Sequence, residues 1–175
     1  MEFEVVVEVP KGSRNKYEMD PDSGLIRLDR DLSTAVRYPT DYGFIQGTMS
    51  EDDDPLDVLV ILEEPTFPGC RIACRPIGLF SMRDEKGRDL KILAVPSWDE
   101  RTDISQIPAF LLTGIRHFFD VYKDIEAGKF TEVGQWDGRD AAEAEVRSSQ
   151  ARHAAHAGRQ EAQHSPRLTA GRPPS

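Results

Sequence analysis

The chain has 175 residues and a mass of 19.7 kDa, room for one domain or two small ones. Its 31 acidic residues outnumber its 22 Lys and Arg, and the formal charge of −9 argues against nucleic acid or anionic lipid as partners. There is no apolar run of about 18 residues to span a membrane, and MEFEVVVEVPKG does not read as a secretory leader, so the expectation is a cytoplasmic protein.

Valine-rich FEVVVEV at 3–9 predicts a strand, closed by the turn Pro10-Lys11-Gly12-Ser13. Lys16–Met19 and Leu25–Leu28 flank the turn Pro21-Asp22-Ser23-Gly24 and read as a β-hairpin. Residues 32–50, broken by Pro39, Gly43 and Gly47, read as irregular. The apolar run at 57–62, the stretch 69–82 with a bend near Pro76 and Gly78, and 90–95 after the turn 84–88 all predict strands. The period then changes. Leu111, Ile115, Phe118 and Tyr122 form one helical stripe, with Pro108 expected in its first turn and Gly128 beyond its end. Residues 139–157 are alanine-rich and predict a second helix with Ala142, Val146 and Ala154 as an apolar strip. From Gly158 the composition predicts disorder. Strands followed by helices make an α+β fold or a small barrel with helices packed outside.

Charge divides along the chain. From Arg147 onward there are five arginines and a single acid, Glu161, which leaves residues 1–146 with 17 bases, 30 acids and a charge of −13. Cys70 and Cys74, four residues apart on one strand, would be separated by about 13 Å, too far to bridge. They are expected to be reduced thiols.

Four features carry chemistry. Asp52-Asp53-Asp54-Pro55-Leu56-Asp57 places four carboxylates in six residues ahead of an apolar strand, the oxygen-rich setting that Mg²⁺ takes. Such a loop is commonly just solvated, and as an EF-hand it lacks the glycine required at its sixth position. Asp89 and Lys91 share a strand face, with Asp84 opening the turn beside them. Lys16 and Glu18 share another face, near Glu8. Arg30, Tyr38, Tyr42, Tyr122 and Lys123 are phosphate-type donors. Singly, each group is more often packing or surface charge; together they suggest a metal–phosphate site. There is no P-loop, dinucleotide fingerprint, nucleophile elbow or zinc spacing, and His117 is the one histidine of the body.

Over residues 2–146 the sequence resembles the soluble inorganic pyrophosphatases of the first, Mg²⁺-dependent family, bacterial type. The resemblance rests on EVP at 8–10, KYE at 16–18, LDR at 28–30, YPTDYGFI at 38–45, DxDPxD at 52–57, RPIG at 75–78, DExGxDxK at 84–91 and HFFDVYKD at 117–124. It implies a five-stranded β-barrel of OB type with flanking helices in residues 1–146, and pyrophosphate hydrolysis by metal-activated water in a homohexamer. Residues 147–175, the end of the last helix and a basic tail, are atypical of the family. By position, Asp52, Asp57 and Asp89 correspond to primary Mg²⁺ ligands, Asp84 joins the metals that arrive with substrate, and Glu8 and Glu18 hold outer metal waters. Lys16, Arg30, Tyr42, Lys91, Tyr122 and Lys123 correspond to phosphate contacts, with Tyr38 nearby. Asp54 corresponds to the base, with Asp84 the second choice. Asp53 replaces a common glycine, and Asp41 replaces a common asparagine, which suggests an extra metal contact. The competing reading is a catalytically inactive OB-type module that binds a single strand or a partner; the acidic body and the filled positions argue against it.

Overall fold

The computed structural model describes residues 1–164. Strand β1 (Phe3–Val9) runs antiparallel to β4 (Asp41–Ile45), and β4 to β5 (Asp57–Val60). Strand β5 runs parallel to β7 (Gly87–Pro96), β7 antiparallel to β6 (Arg71–Asp84), and β6 antiparallel to β1. These five strands therefore close into a ring, the barrel of the OB type that the resemblance implied. The hairpin of β2 (Asn15–Met19) and β3 (Ile26–Asp31) stands beside it, and β8 (Thr131–Gly138) pairs with β6. Helices α1 (Ala109–Val121) and α2 (Arg139–His164) flank the barrel.

Alternation along the strands splits the apolar side chains into two sets. Val9, Leu59, Phe80 and Leu93 pack with Ile115, Phe118 and Phe119 of α1. Val5, Ile45, Val58, Leu79 and Ile92 pack with Ala142 and Val146 of α2. The register also breaks where side chains must be re-aimed. Between Val7 and Val9 the β1–β4 ladder skips Glu8, and between Lys16 and Tyr17 the β2–β3 ladder skips Asp29. The expected bend in the long strand is a further irregularity, between Pro76 and Gly78.

Several expectations need correction. Residues 32–50 are not wholly irregular, because β4 lies within them. Its glycine, which reads as a breaker, is required there: a Cβ on Gly43 would lie 2.0 Å from the Val6 carbonyl oxygen. Strand β8 escaped the sequence reading because Gly134 and Gly138 interrupt it. Pro108 is the residue before the first turn of α1, not part of it. Helix α2 does not stop at 157 but continues to His164, so 158–164 are helical; the disorder expected of 165–175 lies outside the described residues. Of the strip proposed for α2, Ala142 and Val146 are fully buried but Ala154 is exposed. Cys74 is buried and Cys70 partly so, and both thiols are free.

Gly43→Ala should open the β1–β4 pairing. We expect a loss of about 3 kcal/mol, the upper end for overpacking, read as a lower denaturation midpoint in urea.

Candidate active site

A cleft of about 650 Å³ opens over the row of side chains that continues the α1-facing core toward solvent, where Tyr42, Phe44, Asp57, Asp89 and Lys91 follow Leu59 and Leu93. The parallel β5–β7 register sets Asp57 opposite Lys91, and β7 alternation puts Asp89 on the same face. Lys91, only 2% exposed, donates from Nζ to Asp57 Oδ2 at 2.7 Å, to both oxygens of Asp89 at 3.0 Å and to the Tyr42 hydroxyl at 3.1 Å. The Tyr42 hydroxyl also donates to Asp57, and the ammonium lies 5.1 Å from the centre of the Phe119 ring.

Burial alone would discharge Lys91, but Asp57 and Asp89 hold its pKa well above the usual lysine value. Burial, then the charge of Asp57, pushes the Tyr42 hydroxyl up. Asp89 is also pushed up, by burial first and by the charge of Asp57, although Lys91 opposes the shift.

The other walls repeat this alternation of sign. Lys123, just past α1, donates to Asp84 at 2.9 Å and lies 3.6 Å from Glu85. Tyr122 beside it is buried and stacked on Phe118. Arg30 pairs with Asp29 and reaches Glu126 at 3.4 Å. Lys16 bonds Glu18, as their shared strand face predicted. Tyr38 is buried with its ring centre 5.4 Å from that of Tyr42. The bulge turns Glu8 toward β2, where it accepts the Met19 N–H at 2.7 Å. Burial raises the Glu8 carboxyl to about 7 even though this hydrogen bond pulls it down.

The loop before β5 supplies the outer rim, with Asp52 and Asp54 exposed. All thirteen residues singled out from sequence as catalytic, phosphate-binding or metal-binding line this one cleft. Two departures from the family pattern do not. Asp53 takes a left-handed backbone conformation, φ 69°, which suits the glycine usual there and which Asp tolerates better than most residues. Asp41 is no extra metal contact: it is completely buried, facing away from the cleft, and its carboxylate accepts the N–H groups of Lys11 and Thr66 and the Thr66 hydroxyl.

Three cations of the rim were missed. Lys86 and Arg88, at the tip of the β6–β7 hairpin, reach Asp54 at 3.4 Å and Glu51 at 3.9 Å; Lys129 bonds Glu85 at 2.8 Å. The hairpin tip between Asp84 and Asp89 was the available signal, since whatever stands there overlooks the cleft mouth.

Eleven carboxylates and seven cationic side chains line the cleft. Among the described residues no three His, Cys, Asp or Glu side chains close on one point to hold a metal ion. The Lys91 ammonium, rather than a third carboxylate, joins Asp57 and Asp89. The donor chemistry nevertheless fits hard divalent cations. The donors are carboxylate oxygens, four more than the cations present can match, and two of them, Glu8 and Asp89, have pKa values raised by burial.

A sequence model of the inorganic pyrophosphatase family matches residues 5–154. The inorganic pyrophosphatase of Streptomyces coelicolor is 58% identical over 153 residues, 85% of this chain and 94% of that protein. That of Methanosarcina acetivorans is 48% identical over 153 residues, covering 85% and 90%. The crystal structure of the Thermus thermophilus inorganic pyrophosphatase superposes with a TM-score of 0.84 at 47% identity, over 87% of this chain and 91% of that one.

The Glu8 shift has a sign that can be checked. Its folded value, about 7, lies above the ordinary 4.5, so the folded protein holds the extra proton and loses stability as pH rises through that window. In chelator, the wild type should lose about 2 kcal/mol more between pH 5 and pH 8 than Glu8→Gln does, measured by urea unfolding. Parallel losses would show that Glu8 titrates normally.

Proposed function

The chain belongs to the inorganic pyrophosphatase family, and we propose that it hydrolyses pyrophosphate to two phosphates in the cleft described above, with Mg²⁺ as its metal. The observation that carries the reading is the convergence of thirteen residues, drawn from β1, β2, β3, β4, β5, β6, β7 and the segments between elements, on one cleft with a carboxylate excess of four. Pyrophosphate is a polyanion, and a cleft with this sign repels it unless divalent cations accompany it.

Asp52, Asp57 and Asp89 would hold the metal, with Asp84 joining them when substrate arrives and Glu8 and Glu18 holding its outer waters. Bound there, Mg²⁺ supplies charge neutralisation and acidifies a water for in-line attack on phosphorus. Asp54, exposed and 3.4 Å from the Lys86 ammonium, would take the proton of that water. Lys16, Arg30, Lys91 and Lys123 now bond carboxylates, and with substrate in the cleft they would donate to phosphate oxygens instead, leaving Glu18, Asp57, Asp89 and Asp84 free to hold the metal and its waters. Tyr42 and Tyr122, with hydroxyl pKa values raised by burial, stay protonated and donate to the leaving phosphate. The assembly we propose is a homohexamer acting in the cytoplasm. No helix among the described residues is long and apolar enough to cross a membrane.

Phosphate release from pyrophosphate should require a divalent cation, with Mg²⁺ the best of those tried. Full turnover in excess chelator would end the metal mechanism. Asp57→Asn should nearly abolish turnover with the fold intact by circular dichroism. Asp54→Asn should slow it by about 10² to 10⁴, the usual range for a lost general base; if its rate equals that of the wild type at every pH, Asp84 becomes the base to test.

Asp53 lies between a proposed ligand, Asp52, and the proposed base, Asp54, without lining the cleft. Its charge acts over a few ångströms in partly screened surroundings and is worth on the order of 1 kcal/mol. Asp53→Gly should therefore shift the Mg²⁺ titration more than the maximal rate, and an unchanged titration curve would show that Asp53 is only solvated.

A further inference from the structure

The acidic loop is tied to the body at its neck. Thr48, buried, accepts the Leu56 N–H at 3.0 Å, and the Ile45 N–H donates to the Leu56 carbonyl at 2.9 Å. Ser50 N–H donates to the Asp54 carbonyl at 2.7 Å across the loop. One residue between these ties, Met49, is held from outside through both of its backbone polar groups. Its N–H donates to the Ser149 carbonyl at 3.0 Å, and its carbonyl accepts from Arg152 Nε at 2.8 Å.

Both groups belong to α2, about a hundred residues away in sequence. Glu145, Ser149 and Arg152 recur at i, i+4 and i+7, so they share one helix face. The Arg152 guanidinium also donates to Glu145 at 2.5 Å and to the Ser149 hydroxyl at 2.7 Å, and that hydroxyl donates to Glu145 at 3.0 Å. Ser149 is completely buried, and Glu145 itself lines the cleft. The fork is thus locked before it meets Met49. By charge alone, Arg152 counts as one of the arginines of the basic tail; its contacts instead make it part of the floor beneath the acidic loop.

We propose that Arg152 is a positioning residue for the cation site: by fixing the Met49 backbone, α2 sets where Asp52 and Asp54 present their carboxylates, and so sets the cleft's affinity for its divalent cation. The inference rests on reading Asp52 and Asp57 as metal ligands. Groups that orient ligands without touching the metal commonly change its affinity by about ten- to a hundredfold when removed.

The test is calorimetric titration of the full chain with Mg²⁺ in the absence of substrate, alongside pyrophosphate kinetics. Arg152→Ala should weaken Mg²⁺ binding by about tenfold, while the rate at saturating Mg²⁺ and the KM for pyrophosphate change by less than about threefold. Arg152→Lys, which keeps one donor for the Met49 carbonyl, should recover part of the affinity. Arg147→Ala, on the same helix but exposed and, among the described residues, bonded to Glu143 alone, should bind Mg²⁺ as the wild type does. Wild-type Mg²⁺ affinity in Arg152→Ala would overturn the proposal, whatever happens to its melting temperature. Should that variant fail to fold, Arg152→Gln and Arg152→Lys carry the same comparison, and wild-type affinity in both would overturn it equally. Asp57→Asn separates the two readings. If it too binds Mg²⁺ normally, the metal assignment of the loop has failed; if it loses Mg²⁺ while Arg152→Ala does not, only the role of Arg152 has.

Discussion

The fixed point of this structure is an ammonium held between two carboxylates inside the barrel wall. A buried lysine costs several kcal/mol unless it is paired, and a pair of facing carboxylates repel each other unless something positive lies between them. The parallel pairing of β5 with β7 meets both needs, because it brings Asp57 opposite Lys91 at a point where Asp89 stands on the same face. Around that triplet the cleft alternates in sign, Lys123 with Asp84, Arg30 with Asp29, Lys16 with Glu18. Of the proposed phosphate contacts, Lys16, Tyr42, Lys91 and Lys123 are thus each bonded to a proposed metal-binding carboxylate, and Arg30 to Asp29 and Glu126. The arrangement is suited to receiving a cation and an anion together, since each releases the partner that the other needs. A substrate anion alone would have to compete with eleven carboxylates, and a cation alone would leave seven basic groups with fewer partners.

Closing the five strands into a ring gives the site its rigidity. Closure leaves little freedom for a strand to slide, so fine aiming falls to local breaks in register. The bulge at Glu8 keeps Val7 and Val9 buried while turning the intervening carboxylate toward β2. The bulge at Asp29 leaves that carboxylate between Lys16 and Arg30, within 3.5 Å of the first and bonded to the second. In both places the unpaired residue of the ladder is the one that enters the cleft.

How much of this was legible in sequence depended on whether the signal was local. The valine-rich first strand, the α1 stripe and the acidic segment before β5 each announce themselves within a few residues, and the residues that line the cleft could be picked out because their motifs keep a fixed order along the chain. Glycine-broken strands were not legible. Gly43 and Gly134 look like breakers, yet each is small because another backbone approaches it, Val6 in one case and Ser81 in the other. Those close approaches exist only after the barrel has formed. The rim cations Lys86 and Arg88 were hidden for a related reason: they stand at positions where the motif specifies nothing, and only the hairpin geometry turns them over the cleft. For α2 the sequence showed the helix over 139–157 and two of its buried contacts, Ala142 and Val146, but not its polar face, because the spacing of Glu145, Ser149 and Arg152 takes its meaning only from the Met49 segment it meets.

Asp41 and Asp57 show how strand alternation overrides residue type. Each is an aspartate at the first position of its strand, and the sequence offered Asp57 as a primary ligand and Asp41, next to Tyr42, as an extra one. Successive residues of a strand point to opposite faces, however, so the position of Tyr42 in the cleft obliges Asp41 to leave it. Asp41 then meets Lys11 and Thr66, whose N–H groups and hydroxyl satisfy the carboxylate where no water reaches it. The result is a tie between the β1–β2 turn and the segment after β5, two stretches with no ladder hydrogen bonds of their own. An asparagine there would offer a single carbonyl oxygen for three donors, and a carboxylate accepts them all. The acid at 41 therefore adds to the scaffold that holds the cleft, on the strand face opposite the proposed metal ligands.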